Sequence, residues 1–451
     1  MKSMKNINTS PISGTQELLP EKQAIFNSLK TKINEVYESH GFFNIEAPIL
    51  ERTEVLKAKA GSETEKQIYN VYKTAEEKTD STEALRFDHT VPLARYIIEH
   101  ENNLVFPLKV SQLGLNFRGE RAQKGRFREF YQCDIDILGR NSLPISYDTD
   151  IISTLLDTYN SFELKTPVIA RINNRKILSG LIEFLNLQEK SSEIYSIIDH
   201  SEKVSPEKTK NSFTEIGLSE NDIKKILAFI GLHGERAFVI KNLNSLNINN
   251  ELFMSGVSEL DAVLSLLEAT GYTTQISADM RIVRGLDYYT GTVFEFMLPE
   301  YKEIGSIGGG GRYENLTSRF SSNHSFPGVG GSIGLTRLFF VLDEYGLLRD
   351  NHASLIDYAI IPLSNNEIPY ATKIAKALQD QKLKTSLIMT DKKLGDKISY
   401  ATKFAKFGII IGEIEANSKT ARVKDFETGE EKVVDAKPLL TNSPSETPHS
   451  V

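Results

Sequence analysis

The chain has 451 residues, of which 40% are hydrophobic and 25% are charged, so it is long enough for about three globular domains of ~150 residues each. Its 53 Lys and Arg residues and 60 Asp and Glu residues give a net charge of -7, which excludes a uniformly basic nucleic-acid coat but not a local basic surface. The single cysteine, Cys133, excludes an internal disulfide framework and a cysteine-rich zinc site. The histidines show no metal-binding spacing, so we predict no metal site.

No segment reaches the ~18 uninterrupted apolar residues of a membrane span, so we expect no membrane partner. Residues 1–10 are polar and lack the apolar stretch of a secretory signal. These two features favour a cytoplasmic protein.

The first part of the chain begins with a predicted helix and ends with a predicted hairpin. Residues 20–40 carry Ile, Leu, Val and Tyr at helical spacing. The apolar stretch 42–50 contains Pro48, which lacks a backbone donor and therefore predicts a strand at an edge or an interface. Residues 104–117 and 127–139 are two apolar, aromatic-rich runs joined by a basic turn, which predicts a hairpin.

The middle of the chain changes from strand to helix and back. Residues 147–163 and 251–270 have helical periodicity, and 167–173 has the composition of a strand. Residues 185–250, rich in Leu, Ile, Ser, Asn and Lys, predict a helical insertion. Residues 272–298 are rich in Tyr, Thr, Val and Phe, which favours strands.

Two glycine clusters follow. The segment GSIGGGGRY at 305–313 offers a wall without Cβ atoms, where a ligand can approach the backbone closely. The segment PGVGGSIG at 327–334 runs into a predicted helix that carries Arg337, a candidate partner for a phosphate. Neither cluster fits the phosphate-binding spacings G-x-G-x-x-G or G-x-x-x-x-G-K-[ST]. A glycine-rich segment by itself is more often a flexible turn.

From residue 355 the sequence alternates strands and helices. The last strand of this alternation is predicted at 408–416 and a hairpin at 421–434, which together predict a separate small α/β domain. Nine Lys against three Asp between residues 371 and 406 give a local charge of +6, which suits a phosphate backbone. A lysine-rich solvated helix explains the same composition. The stretch after residue 437 is rich in Ser, Pro and Thr, and we expect it to be flexible.

The segment LRFDHTVPLARY at 85–96 is the first candidate for chemistry. On an extended backbone Asp88 and Thr90 point to one face, where a carboxylate and a hydroxyl can grip an ammonium group. The alternative is a helix N-terminus, with Thr90 near the cap and Pro92 in the first turn. On this segment alone the alternative is favoured.

The segment FRGERAQKGRFREFYQCDIDILG at 117–139 combines cations, aromatic rings and acids. Guanidinium groups suit phosphate oxygens, and an aromatic face suits a purine. The cations are Arg118, Arg121, Lys124, Arg126 and Arg128. Strand alternation then places Gln132, Asp134 and Asp136 on one face, so one pocket can hold both an anionic and a cationic ligand. The alternative is a solvated hairpin tip with charge-balanced strands.

The segment RIVRGLDYYTGTVFEF at 281–296 places Arg284 beside a glycine in a strand-like stretch. Tyr288 and Tyr289 point to opposite faces, so one of them can reach a ligand while the other packs. For either tyrosine alone, an ordinary aromatic strand is the better explanation.

Taken in order, these segments resemble class II aminoacyl-tRNA synthetases, and among them the histidyl-tRNA synthetase family, over residues 11–435. RGLDYYTGTVFE and GGGRYENL resemble the two signature peptides of the histidine enzymes, which are the most specific part of the match. FRGERAQKGRFREFYQCDIDILG resembles motif 2, GVGGSIGLTRLFF resembles motif 3, and GFFNIEAPILE resembles the dimer-forming motif 1.

The resemblance implies an α+β fold with an antiparallel catalytic sheet. The catalytic domain is expected at 11–345, with its helical insertion at about 185–250, an anticodon-binding α/β domain at 355–437 and a flexible tail at 438–451. It implies that ATP and Mg²⁺ are used to make histidyl-adenylate from L-histidine, and that the histidine then passes to the 3′-terminal ribose of tRNA(His). It also implies a homodimer.

The resemblance carries roles to individual residues. Arg118 and Arg284 are expected at the α-phosphate, and Arg337 at the γ-phosphate of a bent ATP. Phe130 is expected to stack on adenine, with Glu120 completing the ATP site. The residues expected to bind histidine are Asp88, Thr90, Arg126, Gln132, Asp136, Tyr288, Tyr289 and Tyr313. The residues expected to bind tRNA are Arg121, Lys124, Lys392, Lys397 and Lys403.

Two other functions fit parts of the sequence. A regulatory or amino-acid-sensing relative would keep the fold and lose aminoacylation, but such relatives usually lose the C-terminal domain or the signature residues. Another class II synthetase, for threonine, serine or proline, would share motifs 2 and 3 but would not explain RGLDYYTGT.

Overall fold

The computed structural model describes residues 7–58, 65–74, 81–121, 123, 125–283, 289–314, 317, 320, 324–348 and 355–437. The chain divides into two compact units, Met1–Glu17 with Leu29–Arg349 and Leu18–Ser28 with Asp350–Val451. Among the residues described, no helix is long and apolar enough to span a membrane. The expected tail at 438–451 lies outside the described residues.

The helices of the described residues occur in both units, and four of them follow one another between β7 and β8. In order they are α1 (Pro20–Ser39), α2 (Thr53–Lys57), α3 (Thr90–His100), α4 (Ser146–Ser161), α5 (Arg175–Phe184), α6 (Ser191–His200), α7 (Pro206–Glu215), α8 (Glu220–Ile230), α9 (Arg236–Ser245), α10 (Glu251–Ala269), α11 (Leu335–Glu344), α12 (Ile368–Asp380), α13 (Leu394–Ala401) and α14 (Glu413–Ser418).

The strands form one large sheet and two smaller ones. In order they are β1 (Phe43–Asn44), β2 (Leu50–Arg52), β3 (Tyr69–Val71), β4 (Glu83–Leu85), β5 (Leu108–Phe117), β6 (Glu129–Leu138), β7 (Ile169–Asn174), β8 (His233–Gly234), β9 (Ile276–Asp279), β10 (Tyr289–Met297), β11 (Gly308–Tyr313), β12 (Gly328–Gly334), β13 (Ile356–Pro362), β14 (Thr385–Leu387), β15 (Ala405–Ile411), β16 (Thr420–Asp425) and β17 (Glu431–Asp435).

The large sheet belongs to the first unit and has the order β1-β5-β6-β12-β11-β10-β7-β9-β8 in the described part of the chain. The pairs from β5 to β7 are antiparallel, and β1–β5 and β7–β9 are parallel. The α+β fold and the hairpin expected at 104–139 are therefore confirmed.

Both glycine clusters are strands and not turns. β11 and β12 pair residue by residue from Gly308 with Ile333 to Tyr313 with Gly328. Side chains would not fit at several of these positions. A Cβ atom on Gly331, for example, would lie 2.6 Å from Leu155 and 3.1 Å from the Phe294 ring. Glycine is thus required here because the sheet faces are crowded. A glycine-rich sequence interpreted as a flexible turn does not reveal this requirement.

Two predicted strands need correction at prolines or glycines. The stretch at 42–50 is split into β1 and β2, with Pro48 between them, and β1 lies at the edge of the large sheet as expected. The strand predicted at 408–416 ends at Ile411, and α14 follows. The reason is local: the Glu415 carboxylate accepts a bond of 2.9 Å from the backbone N–H of Gly412 and so stabilises the first turn of the helix.

The insertion is helical, as predicted, with one exception. Helices α6 to α9 cover most of it, but β8 pairs with β9 and makes the insertion part of the large sheet. An ion-pair network joins the same region. Arg171 on β7 binds Asp279 on β9 and Glu202, whose carboxylate also lies 3.2 Å from Arg281.

The second unit is built on a five-stranded sheet of order β14-β13-β15-β16-β17, in which the first three strands are parallel. Its two faces carry apolar clusters, one around Ile360, Ile374 and Leu378, the other around Ile361 and Ile410. The α/β alternation and the hairpin at 421–434 are confirmed.

Candidate active site

The candidate site lies on one face of the large sheet, along β6. Gln132, Asp134 and Asp136 alternate with Cys133, Ile135 and Ile137, which are fully buried in the core. The predicted common face for the polar residues is therefore confirmed. Across the ladder, Asp134 is paired with Gln112 on β5 and with Ser332 on β12.

Glycines on β12 make room for the acidic end of this face. A Cβ atom on Gly330 would collide with the Asp136 carboxylate, and one on Gly328 would lie 2.5 Å from the Tyr313 ring. Because both positions lack a side chain, the Tyr313 hydroxyl donates a bond of 2.8 Å to Asp136 Oδ1. The second glycine cluster thus contributes to the site by leaving space for the side chains of Asp136 and Tyr313.

Burial dominates the electrostatics of Asp136. It raises the pKa of the Asp136 carboxyl to about 7, although the bond from Tyr313 acts in the opposite direction. The charges of Asp134 and Asp88 raise this pKa further. A cationic ligand would lower the pKa of Asp136 again, because an opposite charge favours the ionised carboxylate.

One prediction placed Asp88 and Thr90 on the same face of an extended segment. The structure shows no extended segment here. Thr90 begins α3, and Asp88 Oδ1 accepts a bond of 3.1 Å from the backbone N–H of Val91 in the first turn. The helix N-terminus offered as the alternative is therefore correct. It does not exclude a ligand, because Asp88 Oδ2 is buried and has no partner among the described residues. Burial raises the pKa of this carboxyl to about 6, and the Arg118 charge opposes the shift.

Arg118 joins the acidic end of the site to an aromatic ring. Its Nε donates a bond of 3.1 Å to the carbonyl oxygen of Phe87, which precedes Asp88. Its guanidinium lies 5.1 Å from the centre of the Phe130 ring, on β6. The predicted phosphate ligand and the predicted adenine platform are thus neighbours.

Arg337 leads a second basic group. It lies on α11, and its Nη2 donates a bond of 2.5 Å to the carbonyl oxygen of Ile304. Its Nε is buried and has no partner among the described residues. Burial lowers the pKa of Arg337, and the charge of Arg126 lowers it further. Arg126 itself lies 3.8 Å from Glu120. An anion here would relieve the repulsion between the two guanidinium groups.

The aromatic wall of the site comes from two strands. Tyr289, at the start of β10, is the ladder partner of Tyr313 on β11. A Cβ atom on Gly311 would lie 3.0 Å from the Tyr289 ring, so this ring lies over the glycine strand. Tyr289 and Tyr313 are therefore brought to the same part of the sheet as Asp136.

The basic loop and the signature segment are only partly described. Arg121 is exposed, as expected for a residue that meets a macromolecule. Arg284, Tyr288 and Lys124 lie outside the described residues. Arg281, three positions before Arg284, is held by bonds of 2.9 and 2.6 Å to Asp279.

One predicted tRNA ligand is wrong. Lys392 and Lys403 are exposed, but Lys397 is only 5% exposed and its Nζ donates a bond of 2.7 Å to the carbonyl oxygen of Pro362. Its ammonium group is used inside the second unit and is not available to a phosphate. Its position in the predicted helix explains this, because Leu394, Ile398 and Ala401 form the apolar side on which it lies.

Three site residues were missed by the sequence prediction: His89, Asn116 and Ser332. His89 Nδ1 lies 2.9 Å from Asp134 Oδ2, and Asn116 and Ser332 are both bonded to Gln132 at 2.8 Å. His89 lies within a segment that was singled out, so its polar neighbours were a usable signal. Asn116 and Ser332 had none, because only the register of β5 and β12 places them here.

No group of three His, Cys, Asp or Glu side chains in the described part of the chain can hold a metal ion. The site instead combines the buried acids Asp88 and Asp136 with the guanidinium groups of Arg118 and Arg337, which suits a ligand with a cationic end and an anionic end.

The family model for histidyl-tRNA synthetase matches residues 14–338, and that for the anticodon-binding domain matches residues 357–442. The histidine–tRNA ligases of Clostridium tetani and Clostridium acetobutylicum are both 40% identical to the chain over 94% of its length, and 96% and 97% of their own lengths are covered.

Solved structures are similar over the same extent. The histidyl-tRNA synthetase of Nostoc sp. PCC 7120 is 35% identical, with a TM-score of 0.87 over 96% of this chain and 98% of that one. An ATP phosphoribosyltransferase regulatory subunit/histidyl-tRNA synthetase of Bacillus halodurans C shares the fold at 19% identity, with a TM-score of 0.74 over 90% of this chain and 99% of that one. Since the family model spans most of the chain and relatives at 40% identity span nearly all of it, the chain belongs to the histidyl-tRNA synthetase family.

Proposed function

We propose that the protein is a histidine–tRNA ligase that makes histidyl-adenylate from L-histidine and ATP and transfers the histidine to tRNA(His). One observation carries this proposal beyond family membership. Arg118 lies between a buried carboxylate and an aromatic ring: it bonds to the carbonyl oxygen of Phe87, next to Asp88, and its guanidinium faces the Phe130 ring. That arrangement suits an amino acid with a cationic end beside the phosphates of a nucleotide.

Histidine binding is assigned to the acidic end. The free Oδ2 of Asp88 would accept from the substrate ammonium, with Thr90 and Gln132 beside it. Asp136, held by Tyr313, would accept from a ring N–H of the imidazole. Tyr289 and Tyr288 would form the wall of this pocket, and Arg126 would orient the carboxylate or a phosphate.

The first step transfers the adenylyl group. An oxygen of the histidine carboxylate attacks the α-phosphorus of ATP, and pyrophosphate leaves with the electron pair of the broken P–O bond. Negative charge grows on the α-phosphate oxygens in the transition state, where Arg118 and Arg284 would stabilise it. Arg337 and Glu120 would hold the far end of ATP, and Phe130 would stack on adenine.

The second step moves the histidine. A hydroxyl of the 3′-terminal ribose of tRNA attacks the carbonyl carbon of the adenylate, its proton is lost, and AMP leaves. Arg121 and Lys124 would meet the acceptor end of the tRNA. Lys392 and Lys403, which are exposed in the second unit, would contact phosphates near the anticodon. The domain limits 11–345 and 355–437 belong to this proposal.

Mg²⁺ is proposed to enter as part of the substrate and not as a resident metal. It would arrive bound to the phosphates of ATP, which are oxygen ligands of the kind it prefers. A homodimer formed through the segment around Pro48 and a cytoplasmic location complete the proposal. The exposed Phe43 on edge strand β1 supports the first of these.

The proposal is tested by charging total tRNA with a panel of labelled amino acids, in the presence of ATP and Mg²⁺. We expect histidine alone to be charged. Charging of threonine, serine or proline instead would overturn the assigned substrate. Histidine binding without charging would identify a regulatory relative and overturn the ligase activity.

A further inference from the structure

His89 is a buried titratable residue to which the proposed mechanism gives no task. It precedes the first residue of α3 and has no exposed surface. Its Nδ1 lies 2.9 Å from Asp134 Oδ2, while its Nε2 has no partner among the described residues. Burying a polar ring costs free energy unless its polar atoms are hydrogen-bonded, and this ring has a single such contact, with Asp134, among the described residues. Packing alone therefore does not account for His89.

Asp134 continues this contact into a chain of hydrogen bonds. Its Oδ1 accepts from the Ser332 hydroxyl, and the Ser332 oxygen in turn accepts a bond of 2.8 Å from Gln132 Nε2. Gln132 Oε1 accepts a bond of 2.8 Å from Asn116 Nδ2. The chain therefore runs from His89, beneath the site, to Gln132, which faces it.

The direction of this chain follows from the charge of Asp134. A carboxylate can only accept, so the Ser332 hydroxyl must donate to it and can offer only lone pairs to Gln132. Gln132 therefore turns its NH₂ group toward Ser332 and its oxygen toward Asn116. A carboxylate turned away from Ser332 would leave the Ser332 hydroxyl free to rotate, and with it the amide of Gln132.

We propose that His89 is a positioning residue for the amino group of the substrate, acting through Asp134 and Ser332 on Gln132. By bonding to Asp134 Oδ2, His89 holds the carboxylate with Oδ1 toward Ser332, and the Gln132 oxygen can then accept from the ligand with the lone pair that Asn116 does not use. An ammonium group has three donors and no acceptor, so it binds the amide oxygen and is repelled by the NH₂ group. This inference rests on the proposed function, because it takes histidine as the ligand.

The test uses the full-length protein and histidine-dependent exchange of pyrophosphate into ATP. His89→Leu removes the donor to Asp134 with a side chain of similar bulk, and Ser332→Ala removes the middle of the chain. His89→Asn is the matched control, because its side-chain NH₂ group restores a donor near the place of Nδ1.

We expect His89→Leu and Ser332→Ala each to raise the KM for histidine about 10- to 100-fold, with the KM for ATP within about twofold. His89→Asn should stay within about threefold of the unaltered protein, since the donor is present. The double variant should lose no more than either single one, because both changes break the same chain. Independent structural roles would instead multiply the two losses.

Three outcomes would overturn the inference: an unchanged histidine KM in Ser332→Ala, equal rises in the KM of ATP and histidine, or additive losses in the double variant. If His89→Leu fails to fold, as a melting curve would show, Ser332→Ala and His89→Asn still decide the matter. Failure of the proposed function would look different, because the unaltered protein would then show no exchange with histidine.

Discussion

The two main sheets of the protein treat buried carboxylates differently. On the large sheet, Asp136 is bonded to the neutral Tyr313, and in the segment before α3 one oxygen of Asp88 has no partner among the described residues. In the second unit, Glu415 accepts bonds of 2.7 Å from Arg422 and 2.9 Å from the Gly412 N–H. Burial raises the pKa of the first two. For Glu415, burial also acts to raise the pKa, but the bonds from Arg422 and from backbone N–H groups together outweigh it and lower the pKa.

The difference in hydrogen-bonded partners distinguishes carboxylates that can bind a cationic ligand from carboxylates that stabilise the fold. A buried acid that lacks a bonded cation costs folding free energy, and among the described residues Asp136 on β6 and Asp88 before α3 are in this position. Asp148 is an intermediate case: Arg312 on β11 binds it with two nitrogens at 3.0 and 2.7 Å, and the Arg312 charge opposes the rise in the pKa of Asp148 that burial causes.

The largest effect should come from removing a cation of the site. Arg118→Ala is expected to slow pyrophosphate exchange about 100- to 1000-fold, because the charge that faces the developing negative phosphate is lost. The melting temperature should change by only a few degrees. Arg140→Ala is the matched control, since Arg140 is exposed and, among the described residues, contacts the Glu101 carbonyl and the Phe106 ring. Equal loss of exchange in both variants would contradict the role of Arg118.

A smaller effect should appear in the dependence of stability on pH. The pKa of Asp136 is raised to about 7, so its contribution to the free energy of unfolding is fully present below about pH 4 and is lost as the pH rises through 7. Between pH 5 and 8 this amounts to about 3 kcal/mol. Asp136→Asn should remove that part of the slope, as measured by urea denaturation across the pH range.

Glu415→Gln provides the control for this prediction, with the opposite sign. The pKa of Glu415 is lowered, so its contribution is present above its unfolded pKa and is lost only as the pH falls through the folded value. Glu415→Gln should therefore leave the dependence of the free energy of unfolding on pH unchanged between pH 5 and 8. A slope that Asp136→Asn does not alter would show that Asp136 carries its proton no more tightly in the folded protein.

The smallest effect concerns two lysines of the second unit. Lys397→Met is expected to lower the free energy of unfolding by about 1–3 kcal/mol, because the Pro362 carbonyl loses its charged donor. Lys403→Met should change it by no more than about 0.5 kcal/mol, since Lys403 is exposed. Chemical denaturation measures both, and the KM for tRNA should rise only in Lys403→Met. The reverse pattern would restore Lys397 as a tRNA ligand.

The sequence predicted most of what depends on short-range periodicity. Alternation alone placed Gln132, Asp134 and Asp136 on one face, and the basic turn between β5 and β6 followed from two apolar runs. The burial of Lys397 was readable in the same way, because it shares a helix side with Leu394 and Ile398.

What depends on register between distant strands was not predictable. Ser332 reaches Asp134 only because β12 pairs with β6 in one particular alignment across 198 positions. The glycine clusters of β11 and β12 were interpreted as turns. The reason that these positions require glycine lies in side chains of other strands, such as Asp136 beside Gly330. Periodicity describes one element at a time, whereas these contacts require three elements together.

Strand β8 gives the insertion a second consequence. An open sheet is prone to add strands from other molecules at its free edges, and β8 covers β9 at one end of the large sheet. Removal of residues 185–250 would leave Ile276–Asp279 as a bare edge with unpaired backbone groups. A shortened enzyme made in this way would acquire a template for aggregation, so the insertion also serves the colloidal behaviour of the protein.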